Sequence, residues 1–194
     1  MKILIISDTH GQHRTLDYVI EKEEPIDMLI HCGDLEGGEH YLDAFINCPI
    51  HMVKGNNDFF SDVIREEVFE VAGWKILLCH GHSYFVSLDY NRIKEEGRNR
   101  NVDIVMFGHT HKPYLEEEDD LTILNPGSLS QPRQEGHQPS YIIMTVQEGE
   151  KPIFETRFIV PAEIQKKKEI IPEEIVTNKK KPSKFKAFLD SINW

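Results

Sequence analysis

Asp8 and His10 follow a short apolar run, Lys2 to Ser7, near the start of the chain. In extended backbone, residues two apart point the same way, so this carboxylate and imidazole are expected to meet just beyond a strand end. A hard carboxylate beside an imidazole suits a divalent metal. One such pair says little, but the pattern recurs. Gly33-Asp34 follows the run Met28 to Cys32, and Gly55-Asn56-Asn57-Asp58 follows Ile50 to Lys54. His80-Gly81-His82 follows Lys75 to Cys79, and Gly108-His109-Thr110-His111 follows Val102 to Phe107. Gly33, Gly55, Gly81 and Gly108 adjoin ligand residues in these clusters, which permits sharp turns and close backbone approach. Ordinary polar turns explain any one strand end. They do not explain Asp, His, Asp, Asn, His, His and His distributed over all five.

For these side chains to meet, the runs before them must be strands of one assembly. Each run is too short for a helix and almost continuously apolar, as in strands buried on both faces. Helical stretches separate them. Leu16, Val19 and Ile20 recur at helical spacing up to Glu23, where Pro25 breaks the pattern, and Tyr41 to Ile46 forms a second stretch. Ser87 is placed to cap a third, from Leu88 to about Glu96, closed by Gly97. Val68 to Val71 and Lys75 to Cys79 read as a hairpin turning at Ala72-Gly73; Leu121 to Asn125, Tyr141 to Val146 and Ile153 to Ile159 read as later strands. Alternating strands and helices imply crossovers and largely parallel sheet, in which ligands bind beyond the carboxyl ends of the strands.

The 194 residues suffice for one domain and a small appendage. Hydrophobic residues make up 39% and charged residues 28%, which fits a globular protein with a sizeable core. No apolar run approaches the roughly 20 residues of a membrane span, and the opening strand is not a signal peptide, so a cytoplasmic location is expected. Cys32, Cys48 and Cys79 lack CxxC spacing and read as small hydrophobes in a reducing compartment. A net charge of −11 argues against broad nucleic-acid or anionic-membrane binding. Residues 1–162 carry 14 Lys/Arg against 28 Asp/Glu, whereas residues 163–194 carry 8 against 5. We therefore expect a domain at 1–162 and a Lys-rich extension at 163–194. In the extension, Phe185, Phe188, Leu189 and Ile192 share one helical face after Ser183, a candidate cap. That face is expected to dock on its own domain, on a second copy in a homo-oligomer or on a protein partner, with a membrane surface as the remaining alternative.

Taken in order, Asp8-Thr-His10, Gly33-Asp34, Gly55-Asn56-Asn57-Asp58, His80-Gly81-His82 and Gly108-His-Thr-His111 resemble the signatures of the calcineurin-like metallophosphoesterases. Asn125-Pro-Gly-Ser128, followed by Pro132-Arg133, is similar to their small bacterial and archaeal phosphodiesterase branch, the YfcE-like proteins. The resemblance covers about residues 1–160. It implies an α/β fold, an α-β-β-α sandwich of two facing mixed sheets flanked by helices, with a dinuclear metal site at the carboxyl ends of the strands. It further implies that Asp8, His10, Asp34 and His111 hold one metal, and Asp34, Asn56, His80 and His109 the other, with the Asp34 carboxylate bridging. Metals roughly 3.5–4 Å apart need such a bridge. Mixed imidazole, carboxylate and amide ligands suit two divalent ions, Mn²⁺ first and Fe²⁺, Zn²⁺ or Ni²⁺ as alternatives. Four positive charges against two ligand carboxylates would leave the site locally positive within an acidic protein. The expected reaction is hydrolysis of a small phosphodiester by in-line attack of a metal-bridging hydroxide, formed from a water whose pKa is lowered towards about 7.

One position departs from the wider pattern. Many relatives have Gly-Asn-His-Asp, whose histidine contacts the phosphate and serves as acid to the leaving group; here that place is Asn57. An amide can hydrogen-bond a phosphate oxygen but cannot donate a proton at neutral pH. Asp34, Asn57 and His82 are therefore the catalytic candidates, and Asn57, His82 and Arg133 the substrate contacts. His13, His31, His40, His51 and His137 read as surface or structural residues. Two alternatives stay open: a non-catalytic protein-binding scaffold, similar to the retromer subunit with this fold, and a phosphomonoesterase.

Overall fold

The apolar runs become strands of two sheets in the computed structural model, which describes residues 1–160. The strands are β1 Lys2–Ile6, β2 Met28–His31, β3 Ile50–Met52, β4 Glu66–Val71, β5 Trp74–Cys79, β6 Ile104–Met106, β7 Pro113–Glu117, β8 Thr122–Pro126, β9 Ser140–Thr145 and β10 Ile153–Phe158. The helices are α1 His13–Glu23, α2 Glu39–Phe45 and α3 Asn91–Asn99. One five-stranded sheet has the order β10-β9-β1-β2-β3, the other β4-β5-β6-β8-β7. The expected helix after Ser183 and the boundary at 162/163 lie outside the described residues.

Both sheets are mixed. β1, β2 and β3 run parallel, as do β5, β6 and β8. The expectation of largely parallel sheet fails at the flanks, where β9, β10, β4 and β7 pair antiparallel. Tight connections such as Ala72-Gly73 permit only antiparallel return. The sequence reading has no counterpart of β7. Its Pro-Tyr-Leu-Glu-Glu is a partly exposed edge strand, the place where proline and charge are tolerated and apolar periodicity fades.

Alternation along the strands decides what each face packs against. Ile3, Ile5, Ile30 and Ile142 of the first sheet share one core with Ile76, Leu78, Met106 and Leu124 of the second, so the two sheets face each other. On the outer face of the second sheet, Leu77, Val105, Phe107 and Ile123 pack with Ile93 of α3. Leu4, Ile6 and Leu29, on the other face of the first, are fully buried, as are Leu16 and Val19 of α1. The architecture is the α-β-β-α sandwich. No helix of the described residues is long and apolar enough to cross a membrane.

Helix α3 corrects the expected caps. It starts at Asn91 rather than Leu88, where the Asp89 carboxylate accepts the Asn91 N–H at 2.9 Å, so Ser87 is not the cap. Gly97 lies inside the helix rather than beyond it. A Cβ there would come within 2.7 Å of Val105 Cγ2, so glycine allows helix and sheet to approach closely.

Glu23, at the end of α1, is buried and fastens that helix to the first sheet. It meets Lys2 Nζ at 2.8 Å and Arg157 Nη1 at 2.6 Å, and accepts the Tyr141 hydroxyl at 2.7 Å. Burial alone would raise this carboxyl; the hydrogen bonds from Lys2, Tyr141 and Arg157 outweigh it and bring the pKa from 4.5 to about 2. Stability linked to a depressed carboxyl is fully present above its unfolded pKa and is lost as pH falls through the folded one. Glu23→Gln should thus destabilise by about 3 kcal/mol near neutrality, and the difference from wild type should shrink between pH 4.5 and 2. Urea unfolding across that range checks both.

Candidate metal centre

The five strand ends that carry the candidate ligands belong to β1, β2, β3, β5 and β6, all parallel strands. The side chains do not converge as the extended-backbone argument expects. Asp8, His10, Asp34, His109 and His111 all have positive φ, from 46° to 69°. β1 has already ended at Ile6, and turns aim the ligands. The Asp8 and His10 N–H groups donate to Gly33 O and Asp34 O, each at 3.0 Å, which stitches two ligand loops together. Asp and His tolerate left-handed backbone better than most residues, yet each such position costs about 1–3 kcal/mol. Close approach does require the glycines at two points: a Cβ on Gly55 would lie 2.1 Å from Asp34 Oδ1, and one on Gly108 would lie 2.8 Å from Asp8 Oδ2.

Ligand atoms of Asp8, His10, Asp34 and His111 lie within 4.8 Å of one another. His111 Nε2 is 3.1 Å from Asp8 Oδ1 and 3.3 Å from His10 Nε2. Asp34 Oδ2 lies between this group and the second set, 3.9 Å from His10 Nε2 and 3.4 Å from His80 Nε2. In the second set the His80 and His109 rings are 5.3 Å apart between centroids, against 5.1 Å for His10 and His111. The Asn56 side-chain oxygen is buried without a hydrogen-bond partner, as are Asp8 Oδ1 and His80 Nε2.

The outer ring nitrogens explain why these atoms need a cation. His80 Nδ1 lies 2.7 Å from Cys32 O, and His111 Nδ1 lies 2.7 Å from Gln131 O. His10 Nδ1 lies 2.7 Å from Glu36 Oε1. With the proton on the outer nitrogen, as these acceptors require, each ring would offer an Nε2 lone pair inwards to a metal. Lone pairs facing one another at these distances call for a proton or a metal between them, and imidazole and carboxylate donors suit a divalent ion. Sequence reasoning missed Glu36, because nothing in its own spacing marks it; only the fold brings it to His10. Glu36→Ala should weaken metal affinity about 10–100-fold while leaving the fold intact, as loss of an orienting partner does. Metal titration followed by calorimetry measures this.

Asn57 sits on the ligand shell itself. Its backbone N–H donates to Asp34 Oδ1 at 2.9 Å and its amide to Asp34 Oδ2 at 2.7 Å. Asp58 braces both loops, taking the N–H groups of Leu35, Glu36 and Gly55. Burial would raise the Asp34 carboxyl, but the adjacent His80 ring and the hydrogen bonds from Asn57 hold it well below the usual carboxylate range. The His82 ring lies 5.5 Å from that of His80, with its Nδ1 unpartnered; burial, then His80 and Arg65, push its pKa down. Arg133 is exposed, and its backbone N–H donates to His111 O at 3.0 Å. Arg65, not singled out in the sequence, directly precedes β4 and is one of the charges that act on His82. Of the remaining histidines, His31 is fully buried between Thr9 and the Gly33 N–H, and burial pushes it down to about 4. His13 stacks on Tyr41, His51 pairs with Glu67, His137 bonds Pro132 O, and His40 is exposed.

Residues 1–149 match the calcineurin-like phosphoesterase superfamily domain. A probable metallophosphoesterase of Methanocaldococcus jannaschii is 34% identical over 137 residues, covering 69% of this chain and 70% of its own. A phosphodiesterase of the same organism is 29% identical over 150 residues, 66% of this chain and 83% of its own. Among solved structures, Entamoeba histolytica Vps29 complexed with Zn²⁺ superposes with a TM-score of 0.66 at 25% identity, covering 81% of this chain and 99% of that one.

Proposed function

The chain belongs to the calcineurin-like phosphoesterase superfamily, and we propose that its activity is metal-dependent hydrolysis of a small phosphodiester. The observation that carries this reading is the meeting of ligand atoms from Asp8, His10, Asp34 and His111 within 4.8 Å. In this reading Asp34 is shared with a second ion, which Asn56, His80 and His109 complete, and Mn²⁺ suits the mixed donors. When bound, the ions supply Lewis-acid activation of water and neutralise phosphoryl charge. The protein's part is to keep Asp34 ionised, to hold the imidazoles as inward acceptors and to contact the phosphate through Asn57, His82 and Arg133. Arg65 adds a cation whose field reaches His82.

Two observations support a diester over a monoester. One relative is a phosphodiesterase. The domain is also strongly acidic, which disfavours the second negative charge of a monoester. Three free cysteines, two of them buried, suit the reducing cytoplasm. Residues 163–194 contribute no ligand in this reading; they extend a domain ending near 162 and are left to contact a partner or a second copy. Chelator-stripped protein reloaded with Mn²⁺ and offered diesters and monoesters tests the proposal. Metal-dependent turnover of diesters well above monoesters is expected. Folded, metal-loaded protein without turnover would favour a binding scaffold instead.

A further inference from the structure

We propose that the cleft beside the metal centre receives a nucleobase carried by the substrate, with Phe59 and Phe60 as its stacking surface; this rests on the phosphodiesterase reading and names its substrate class. The cleft has a volume of about 640 Å³ and is lined by Glu36, Glu39, His40, Asn57, Phe59 and Phe60. That size lies within the range of small-ligand sites. It adjoins the centre directly, since Glu36 bonds the His10 ring and Asn57 bonds the Asp34 carboxylate. A group in the cleft is thus one side chain away from the ligand shell and can be tethered to a phosphate held there.

The two phenylalanines are the unusual feature. Phe59 is 79% exposed and Phe60 fully so, although each ring would stabilise the fold if buried. Their loop is braced. The Lys54 N–H donates to Ile64 O at 2.8 Å, Lys54 Nζ to Ser61 O at 3.0 Å, and Asp58 anchors the start of the loop. Two flat apolar faces are therefore presented to the cleft mouth from a supported position. Glu36 and Glu39 repel a phosphate from the cleft and accept hydrogen bonds from ring N–H and exocyclic amino groups. One carboxylate oxygen of Glu39 is buried without a partner. An aromatic, hydrogen-bonding, uncharged group attached to a phosphate meets all of these conditions. An alkyl ester would leave both rings in water.

The test compares adenosine 5′-monophosphate with ribose 5-phosphate, which share the phosphate and sugar and differ in the base. Both are titrated into Mn²⁺-loaded full-length protein by calorimetry, and both are used as competitors of bis(p-nitrophenyl) phosphate turnover. Stacking predicts about tenfold or tighter binding of the nucleotide, falling towards equality in Phe59→Ala/Phe60→Ala with metal content unchanged. Both residues are exposed, so the variant should fold. Equal binding by wild type, as when a partner protein covers the rings instead, or a preference that survives the double substitution, overturns the cleft. Turnover without a base preference leaves the phosphodiesterase reading standing and rejects only the cleft. A Phe-dependent base preference without turnover does the reverse.

Discussion

Asp34→Asn is expected to empty both metal positions and to lower diester turnover by about 10³-fold or more, the scale of removing one member of an interdependent catalytic set. Asp34 Oδ2 lies 3.9 Å from His10 Nε2 and 3.4 Å from His80 Nε2, which puts it between the two halves of the site. An amide supplies one neutral oxygen where the carboxylate supplies two that share a negative charge, and two cations gathered around it would lose their common counter-charge. The substitution also sets its new NH₂ group against the Asn57 amide that now donates to Oδ2. The fold should survive, because the strands that flank the site are held by the shared core. Elemental analysis after reconstitution, paired with circular dichroism, decides. Two ions retained per folded chain would overturn the bridging role.

The second large effect concerns the leaving group. With asparagine at position 57, no side chain there can protonate the departing oxygen, and its amide is already engaged with Asp34. Rates should fall steeply as the leaving group becomes more basic, with aryl diesters turned over well and alkyl diesters poorly. A missing general acid costs about 10²–10⁴ in rate, so the difference is easily measured. His82 is the residue that could take over the role, since its ring is near His80 and its Nδ1 has no partner. A series of diesters of graded leaving-group pKa, run on wild type, Asn57→His and His82→Ala, separates these cases. A steep wild-type slope, flattened by Asn57→His and unchanged in His82→Ala, is expected. A shallow slope that steepens only in His82→Ala would make His82 the acid.

Most strands, and the residues of the Asp8, His10, Asp34 and His111 cluster, were legible because each rests on a local signal: an apolar run, then Asp or His near glycine. What depended on several segments at once was not. Glu36 looks like any acidic turn residue until the loop after β2 brings it to His10. Arg65 gains meaning only from the fold that brings its charge to act on His82. The route by which Asp8 and His10 converge was misread because alternation along a strand was assumed to continue past Ile6, where the backbone turns left-handed. β7 and the start of α3 escaped for a related reason. An exposed edge and a helix start without a side-chain cap carry little hydrophobic signature.

Those left-handed ligand residues make the site a point of tension between persistence and use. Five side chains, Asp8, His10, Asp34, His109 and His111, occupy backbone conformations that glycine would adopt without strain. In a protein deprived of metal they also crowd two carboxylates and several lone pairs into one buried space. Any selection for stability alone, in the laboratory or in a lineage released from catalysis, should therefore erode these positions first, with glycine an accepted replacement. The fold would lose nothing it needs, since the core that joins the two sheets contains none of the five. A lineage that kept this sandwich only as a binding surface would be recognisable by glycine or other small residues where the metal ligands once turned.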